Sequence, residues 1–252
     1  MDVLTLGPLR VRRVVKTSGN TSKTDDDTRL TVVLLHGYGA PGDDLVGLGE
    51  GLAAPVGTTF LFPEAPSGVA GAGGLMTLDD EARAWWQIDI GRFQRAAMLG
   101  TLDKLVEEVP EGLEEARASV LAMLDAYEAH EGSTSTPSSR IVLGGFSQGS
   151  MLALDVALHT ERPFAGLALM SSTLLAAKDW LPRMAARKNL PVFQSHGARD
   201  PILPFPIADR LRHELESAGL RVSFTRFDDG HGIPPEVMRD FGTWLSQTSA
   251  HV

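Results

Sequence analysis

Short apolar runs recur along the chain and alternate with segments whose apolar residues return every three or four positions. The first kind of pattern predicts strands at residues 30–35, 59–62, 141–143, 167–170, 192–194 and 222–227. The second kind predicts helices within residues 111–130, 151–159, 207–218 and 235–246. Strands that alternate with helices usually form a mainly parallel sheet with helices on both faces, so the pattern predicts an α/β fold.

The segments outside this alternation have a different composition. Residues 4–15 alternate apolar and polar side chains, which predicts one or two edge strands, and the polar residues 17–28 predict a loop. Residues 91–109 carry apolar residues that could share one helical face, interrupted by Gly100: Phe93, Ala97, Leu102, Leu105 and Val109. We therefore expect a single domain over residues 1–252 with a candidate lid at about 66–110, in which residues 91–109 are either part of the lid or a surface helix packed on the core.

Composition and charge exclude several classes of function. The chain has 252 residues, a formal net charge of −9 and no cysteine. An acidic surface repels phosphate backbones, so we expect no nucleic-acid partner, and the lack of cysteine excludes disulfides, thiolate metal sites and a cysteine nucleophile. No apolar run approaches the ~18 residues of a membrane span, and residues 1–8 do not resemble a signal peptide. The expectation is a cytoplasmic protein without an integral membrane segment.

The strongest chemical signal is Ser147 in the sequence Gly145-Phe146-Ser147-Gln148-Gly149. It matches the Gly-x-Ser-x-Gly pattern, in which a serine lies on a tight turn between a strand and a helix. The pattern by itself is weak, because a Gly/Ser loop without chemistry can produce it. Here it directly follows the predicted strand 141–143 and directly precedes a predicted helix, as a nucleophilic serine requires.

Two further candidates also follow predicted strands. Asp200 comes after strand 192–194 and His231 after strand 222–227. Alone, each is more simply explained as a loop residue, and Asp228 and Asp229 compete with Asp200 for the role of the acid. Together with Ser147, however, they occur in the chain order Ser, Asp, His, which is the order of the α/β-hydrolases. The carboxyl ends of parallel strands share one sheet edge, so we expect the three side chains to meet there.

The loop after strand 30–35 is expected to supply one of the two hydrogen-bond donors for an oxyanion. In α/β-hydrolases one oxyanion donor comes from this loop and the other is the amide after the nucleophile. This rule assigns the backbone N–H groups of Tyr38 and Gln148 to the oxyanion hole.

The same loop supports an alternative function. Gly37, Gly39 and Gly42 fit the Gly-x-Gly-x-x-Gly pattern of dinucleotide-binding oxidoreductases, with Glu64 after the next strand. Against this, acidic residues at positions 43 and 44 would lie where a pyrophosphate must bind. The alternative also leaves the Ser, Asp, His series unexplained.

Five motifs occur in order between about residues 30 and 246: Leu35-His36-Gly37-Tyr38-Gly39, Ala84-Trp85-Trp86-Gln87-Ile88-Asp89, Leu143-Gly144-Gly145-Phe146-Ser147-Gln148-Gly149, His196-Gly197 with Asp200-Pro201, and Gly230-His231-Gly232. Taken together they resemble the phospholipase/carboxylesterase family of α/β-hydrolases, which includes acyl-protein thioesterases. Two features depart from the family: the stretch between Asp89 and Gly112 looks longer than usual, and Ser150 replaces a second glycine.

The resemblance implies a serine hydrolase of carboxylic esters, thioesters or lysophospholipids, with Ser147, Asp200 and His231 as its triad. It implies small-molecule or lipid-like acyl esters as substrates, and no metal and no organic cofactor. It also favours an acyl-binding site lined by Met76, Trp85 and Trp86, although a tryptophan pair is more often simple packing. A catalytically inactive binding protein of the same fold is the remaining alternative.

Overall fold

The computed structural model describes residues 1–17, 30–69, 82–89, 91–92, 95–96, 99–130 and 137–250. The strands are β1 Asp2–Leu6, β2 Leu9–Val15, β3 Thr31–Leu35, β4 Thr59–Pro63, β5 Ser67–Gly68, β6 Arg83–Ala84, β7 Ile141–Phe146, β8 Gly166–Met170, β9 Pro191–Gly197 and β10 Arg221–Phe227. The helices are α1 Val46–Gly51, α2 Leu102–Val106, α3 Leu113–His130, α4 Gln148–Leu158, α5 Ala177–Met184, α6 Phe205–Ser217 and α7 Pro235–Ser249.

Within these ranges, eight of the strands form one twisted central sheet. Their spatial order is β1-β2-β4-β3-β7-β8-β9-β10, while β5 and β6 pair separately. All neighbours from β4 to β10 are parallel, and β1 and β2 are joined antiparallel at one end. All five residues of β3 are buried, and its first residue, Thr31, pairs with Thr59 on one side and Ile141 on the other. Strands β3, β7, β8 and β9 therefore form the inner part of the sheet.

Helices cover the sheet on both faces, and a separate apolar core lies under each layer. The larger core joins the sheet to α3, α4, α5 and α6, and the smaller core joins it to α1 and α7. Within the described residues, no helix is both long enough and apolar enough to cross a bilayer. The α/β fold with a mainly parallel sheet and helices on both faces is thus confirmed.

Helices α1 and α5 and the short strands β5 and β6 were not predicted, and several predicted elements differ from the structure at their ends. Strand β9 continues to Gly197, through Gln194, Ser195 and His196, whereas the apolar run predicts an end at Gln194. Helix α4 begins at Gln148, three residues before the predicted start. The run Gln194–His196 is polar but fully buried, so an apolar pattern cannot detect it.

The predicted lid is described only in part. The predicted loop 17–28 lies almost wholly outside the described residues, as do Phe93 and Ala97 of the apolar face. Within residues 99–109, a short helix α2 forms, Val106 joins the larger core, and Val109 is 60% exposed. The lid and the single-domain organisation therefore stay predictions.

Candidate active site

Ser147 lies on a sharp turn between β7 and α4. Its backbone angles are φ 53° and ψ −119°, a conformation that side chains other than glycine rarely adopt. The turn is held by a hydrogen bond from the N–H of Ser147 to the carbonyl of Met170 in β8, at 2.9 Å. Ser147 is partly exposed while Gln148, the next residue, is buried. The fold thus maintains a strained serine at the carboxyl edge of the sheet.

The two glycines of the motif allow the turn to pack against β3. A Cβ on Gly145 would lie 2.3 Å from the carbonyl oxygen of Leu35, and one on Gly149 would lie 2.1 Å from the same atom. Real Cβ atoms do not approach a carbonyl oxygen so closely. Any side chain at either position would push the turn away from the end of β3.

The variant Gly149→Ala tests this packing. We expect it to lower the free energy of unfolding by about 3 kcal/mol or more, because the new methyl group meets backbone atoms that cannot move aside. The matched control is Gly47→Ala in α1, where an added Cβ meets nothing within 4 Å and alanine favours the helix. Denaturant unfolding of both variants measures the difference, and equal stabilities would contradict the close packing.

Asp200 and His231 form a direct pair. Oδ2 of Asp200 accepts a hydrogen bond from Nδ1 of His231 at 2.6 Å. Its other oxygen, Oδ1, accepts from the backbone N–H groups of Ile202 at 2.8 Å and Leu203 at 2.9 Å. Since a carboxylate can only accept, Nδ1 of His231 carries the hydrogen, and Nε2 of the neutral ring is available as a proton acceptor.

The surroundings of Asp200 determine its charge. Burial of this carboxyl would raise its pKa, but the hydrogen bonds from His231, Leu203 and Ile202 outweigh burial and lower the pKa below its usual value. The carboxylate therefore stays ionised at neutral pH.

A lowered pKa makes stability depend on pH in a defined direction. The unfolded chain holds the Asp200 proton more tightly than the folded one, so the contribution of this carboxylate is complete above about pH 4 and is lost in more acidic solution. We expect the stability difference between the wild type and Asp200→Asn to shrink as pH falls from about 4 to 2.5. Urea unfolding across this range measures it, and a constant difference would contradict the assigned pKa direction.

The loop that carries His231 lies beside the serine turn. The ring of Phe146, the residue before Ser147, packs on the imidazole of His231 with 4.8 Å between ring centroids. Ser171 Oγ donates to the carbonyl of Gly232 at 3.2 Å, which fixes the loop at the end of β8. Among the contacts of the described residues, no hydrogen bond joins Ser147 Oγ to His231 Nε2. The proton transfer between them therefore stays a prediction.

The competing acids are engaged elsewhere. Asp228 lies 3.4 Å from Arg199, and Asp229 accepts a hydrogen bond from the N–H of Gly230 at 2.7 Å. Of the three candidate acids, the one that contacts His231 is Asp200.

Sequence reasoning gave no role to His196, a second histidine that contacts Asp200. Nε2 of His196 donates to the carbonyl of Leu203 at 2.8 Å and lies 3.3 Å from Oδ2 of Asp200. Burial lowers the pKa of His196, which keeps its ring neutral. No periodic pattern signals this contact, because His196 lies in the buried polar end of β9, beyond the end of the predicted strand, and Asp200 lies in the loop that follows.

The loop after β3 approaches the serine turn. A Cβ on Gly37 would lie 3.5 Å from Cβ of Ser147, so this loop and the serine are in contact. The N–H of Gly39 donates to Arg83 and that of Ala40 to Gly37, whereas among the described residues the N–H of Tyr38 has no acceptor. Gln148 is the first residue of α4, where a backbone N–H lacks an intrahelical partner. Neither N–H group is therefore committed to another acceptor in the part of the chain that the structure describes, and the oxyanion hole stays a prediction.

The predicted acyl-binding residues are only partly described. Met76 lies outside the described residues. Trp85 and Trp86 are 3% and 5% exposed and belong to the larger core, and Nε1 of Trp85 donates to the carbonyl of His36 at 3.0 Å. Their role in substrate binding stays a prediction.

The glycine-rich loop lacks the features of a dinucleotide site. Helix α1 begins only at Val46, so the loop does not lead directly into a helix at Gly42. The carboxylate of Glu64, which would have to bind a ribose, lies against three guanidinium groups, those of Arg10, Arg12 and Arg83, at 3.5, 3.3 and 3.2 Å. These observations disfavour the oxidoreductase alternative.

One acidic cluster has the residue types of a metal site. It consists of Asp155, His159 and Asp179. The carboxylate of Asp155, however, already binds Arg117 at 3.1 Å and Nε1 of Trp180 at 2.9 Å, and Asp179 binds His159 at 2.7 Å. A guanidinium group in contact with the central carboxylate opposes a further cation. The cluster is better explained as an ion-pair network between α3, α4 and α5.

The chain matches a known protein family and is similar to acyl-protein thioesterases. Residues 18–249 match the family model described as phospholipase/carboxylesterase. Acyl-protein thioesterase 1 of Mycosarcoma maydis is 38% identical over 117 residues, 44% of this chain and 49% of that protein, so this match spans about half of the relative's length. Acyl-protein thioesterase 1 of Cryptococcus neoformans var. neoformans is 26% identical over 233 residues, 86% of this chain and 91% of that protein.

Solved structures agree with these matches. Esterase PE8 is 25% identical, with a TM-score of 0.72 over 95% of this chain and 99% of that chain. Acyl-protein thioesterase 2 of Zea mays is 20% identical, with a TM-score of 0.64 over 95% of this chain and 99% of that chain. At 20% identity the second likeness supports the fold alone.

Proposed function

The chain belongs to the phospholipase/carboxylesterase family of α/β-hydrolases, and from this premise we propose that it is a serine hydrolase of carboxylic esters and thioesters. Ser147 is the proposed nucleophile, His231 the base and Asp200 the residue that orients the base. The observation that carries the proposal is the strained turn at Ser147, next to the hydrogen-bonded pair of Asp200 and His231 at one edge of the sheet.

The first half of the proposed reaction acylates the serine. Nε2 of His231 takes the proton from Oγ of Ser147 while Oγ bonds to the carbonyl carbon of the substrate. The carbonyl oxygen becomes an oxyanion that accepts hydrogen bonds from the N–H groups of Tyr38 and Gln148. When this intermediate collapses, the bond to the leaving group breaks, and the alcohol or thiol departs with the proton from His231.

The second half releases the acid. His231 takes a proton from water, whose oxygen attacks the acyl carbon, and the proton then returns to Oγ of Ser147. Asp200 keeps Nδ1 of His231 protonated and stabilises the cationic ring that forms in each half. The base acts from its neutral form, in which Nε2 carries no hydrogen.

The substrate class rests on the family. We propose small-molecule or lipid-like acyl esters, with Met76, Trp85 and Trp86 next to the acyl chain. The names of the matched relatives, acyl-protein thioesterases and an esterase, support both oxygen and sulfur leaving groups. The cytoplasmic location and the lack of a nucleic-acid partner are proposals that rest on the sequence.

A substrate panel tests the proposed function. It contains p-nitrophenyl esters from acetate to palmitate, beside an acyl thioester and a lysophospholipid. We expect hydrolysis of at least one class well above the rate of Ser147→Ala, and the preferred chain length then measures the acyl site. If the wild type hydrolysed no member faster than this variant, the proposed function would be wrong.

A further inference from the structure

The side chain of Gln148 is fully buried and makes two long-range hydrogen bonds. Its Oε1 accepts from the backbone N–H of Trp85 at 3.0 Å, and its Nε2 donates to the carbonyl of Trp86 at 2.8 Å. The oxygen and the nitrogen of the amide therefore both bind the backbone of Trp85 and Trp86, which lie more than sixty residues away in the chain. These two bonds fix the orientation of the amide and bind the start of α4 to that segment.

The same segment is also bound to the loop that carries Tyr38. The N–H of Gly39 donates to the carbonyl of Arg83 at 2.8 Å, and the N–H of Arg83 donates to the carbonyl of Ala40 at 3.0 Å. In addition, Nε1 of Trp85 donates to the carbonyl of His36 at 3.0 Å. Three hydrogen bonds thus hold residues 83–86 to the loop on one side, and two hold them to Gln148 on the other.

We propose that residues 83–86 and the side chain of Gln148 form a bracket that fixes the spacing of the two oxyanion donors. The inference rests on the proposed function, in which those donors are the N–H groups of Tyr38 and Gln148. In this arrangement the backbone of Gln148 contacts the reacting atoms, while its side chain is a positioning group. The family resemblance gives a role to the backbone of this residue and none to its amide.

The physical need for a bracket follows from where the donors lie. One belongs to the loop after β3 and the other to the first turn of α4, so their spacing depends on how two separate elements pack. An oxyanion hole stabilises the transition state only if both donors are in place before the reaction. A displacement of about 1 Å in such a site can cost about 100-fold in rate.

Two substitutions at Gln148 test the bracket and leave the backbone N–H intact. Gln148→Met keeps the length of the side chain and removes both hydrogen bonds, and Gln148→Glu keeps an acceptor for Trp85 but loses the donor to Trp86. We expect kcat per active site to fall about 10- to 100-fold in both, with KM changed less than about threefold. Active sites are counted by end-point titration with a fluorophosphonate, so misfolded molecules do not enter the rate.

A transition-state analogue gives a readout that a purely structural role would not change. The affinity of both Gln148 variants for a trifluoromethyl ketone, whose adduct carries the oxyanion, should fall by about the same factor as kcat/KM.

The matched control is Gln194→Met, which replaces a buried glutamine of β9 that donates to the carbonyl of Ala208 at 2.9 Å. This control should lower stability and leave kcat per titrated site unchanged.

The outcomes separate this inference from the proposed function. If the wild type is active and both Gln148 variants keep the wild-type kcat per titrated site and the wild-type inhibitor affinity, the bracket is wrong and the hydrolase assignment stands. If the wild type itself neither hydrolyses the substrates nor reacts with the fluorophosphonate, the proposed function fails first. A fall in kcat and in inhibitor affinity that is confined to the Gln148 variants supports the bracket.

Discussion

Ser147→Ala should lower kcat for ester hydrolysis by about 10⁴- to 10⁶-fold while the protein stays folded. The substitution removes the only atom proposed to bond to the substrate, so acylation cannot occur. The loss in rate should exceed that of any other single change considered, because an intact oxyanion hole and base cannot act without a nucleophile.

Stability should change little in this variant. Serine and alanine both carry a Cβ and experience the same backbone strain at φ 53°, so the free energy of unfolding should stay within about 1 kcal/mol of the wild type. Ser246→Ala in α7, which loses one hydrogen bond to the carbonyl of Gly242, is a control for removal of a serine hydroxyl elsewhere. Initial rates and urea unfolding of both variants check the prediction, and retained turnover in Ser147→Ala would exclude this serine as the nucleophile.

Asp200→Asn should have the second largest effect, a loss of about 10⁴-fold in kcat near pH 7. The new amide can keep its oxygen on the N–H groups of Ile202 and Leu203, where Oδ1 of Asp200 now lies at 2.8 and 2.9 Å. Its NH₂ group then faces Nδ1 of His231. Because that group donates, Nδ1 becomes the acceptor and the ring hydrogen moves to Nε2, so His231 cannot take the proton of Ser147.

The measurement for Asp200→Asn is kcat and KM at neutral pH, with the folded fraction determined in parallel. Asp228→Asn is the matched control, because Asp228 is a nearby acid that lies against Arg199 and not against His231. It should keep nearly the wild-type rate. If both variants lost activity equally, or if Asp200→Asn kept it, the role given to Asp200 would be wrong.

In parallel sheets, functional residues lie in the loops that follow the carboxyl ends of the strands. This rule explains why candidate site residues could be named from the sequence. The apolar runs before Ser147, Asp200 and His231 are strands β7, β9 and β10, and the contact between Asp200 and His231 follows from their order in the sheet. The choice of Asp200 over Asp228 and Asp229 depended on geometry. Asp228 and Asp229 lie only three and two residues before His231 in the chain, a separation that makes it hard for either carboxylate to reach the ring.

Long-range polar contacts explain what sequence could not predict. The amide of Gln148 meets Trp85 and Trp86 across a separation that leaves no periodic signal, and His196 belongs to a strand end that is polar yet buried. A buried polar residue is recognised only when its hydrogen-bond partners are known. Helix α1 was missed because six residues hold too few turns for a pattern, and α5, which has eight residues and contains Pro182, was missed as well. Helix α2 lies within residues 91–109, where the sequence predicts apolar residues on one helical face.

The most direct test of the central claim is covalent labelling with a fluorophosphonate, mapped by mass spectrometry of the digested protein. We expect one adduct per chain, on the peptide that contains Ser147, with loss of hydrolysis in proportion to labelling and no adduct on Ser147→Ala. Hydrolysis that persists in a fully labelled protein, an adduct on another residue, or a wild type that takes up no label would contradict it. The last of these results would instead favour a binding protein that keeps the fold without the chemistry.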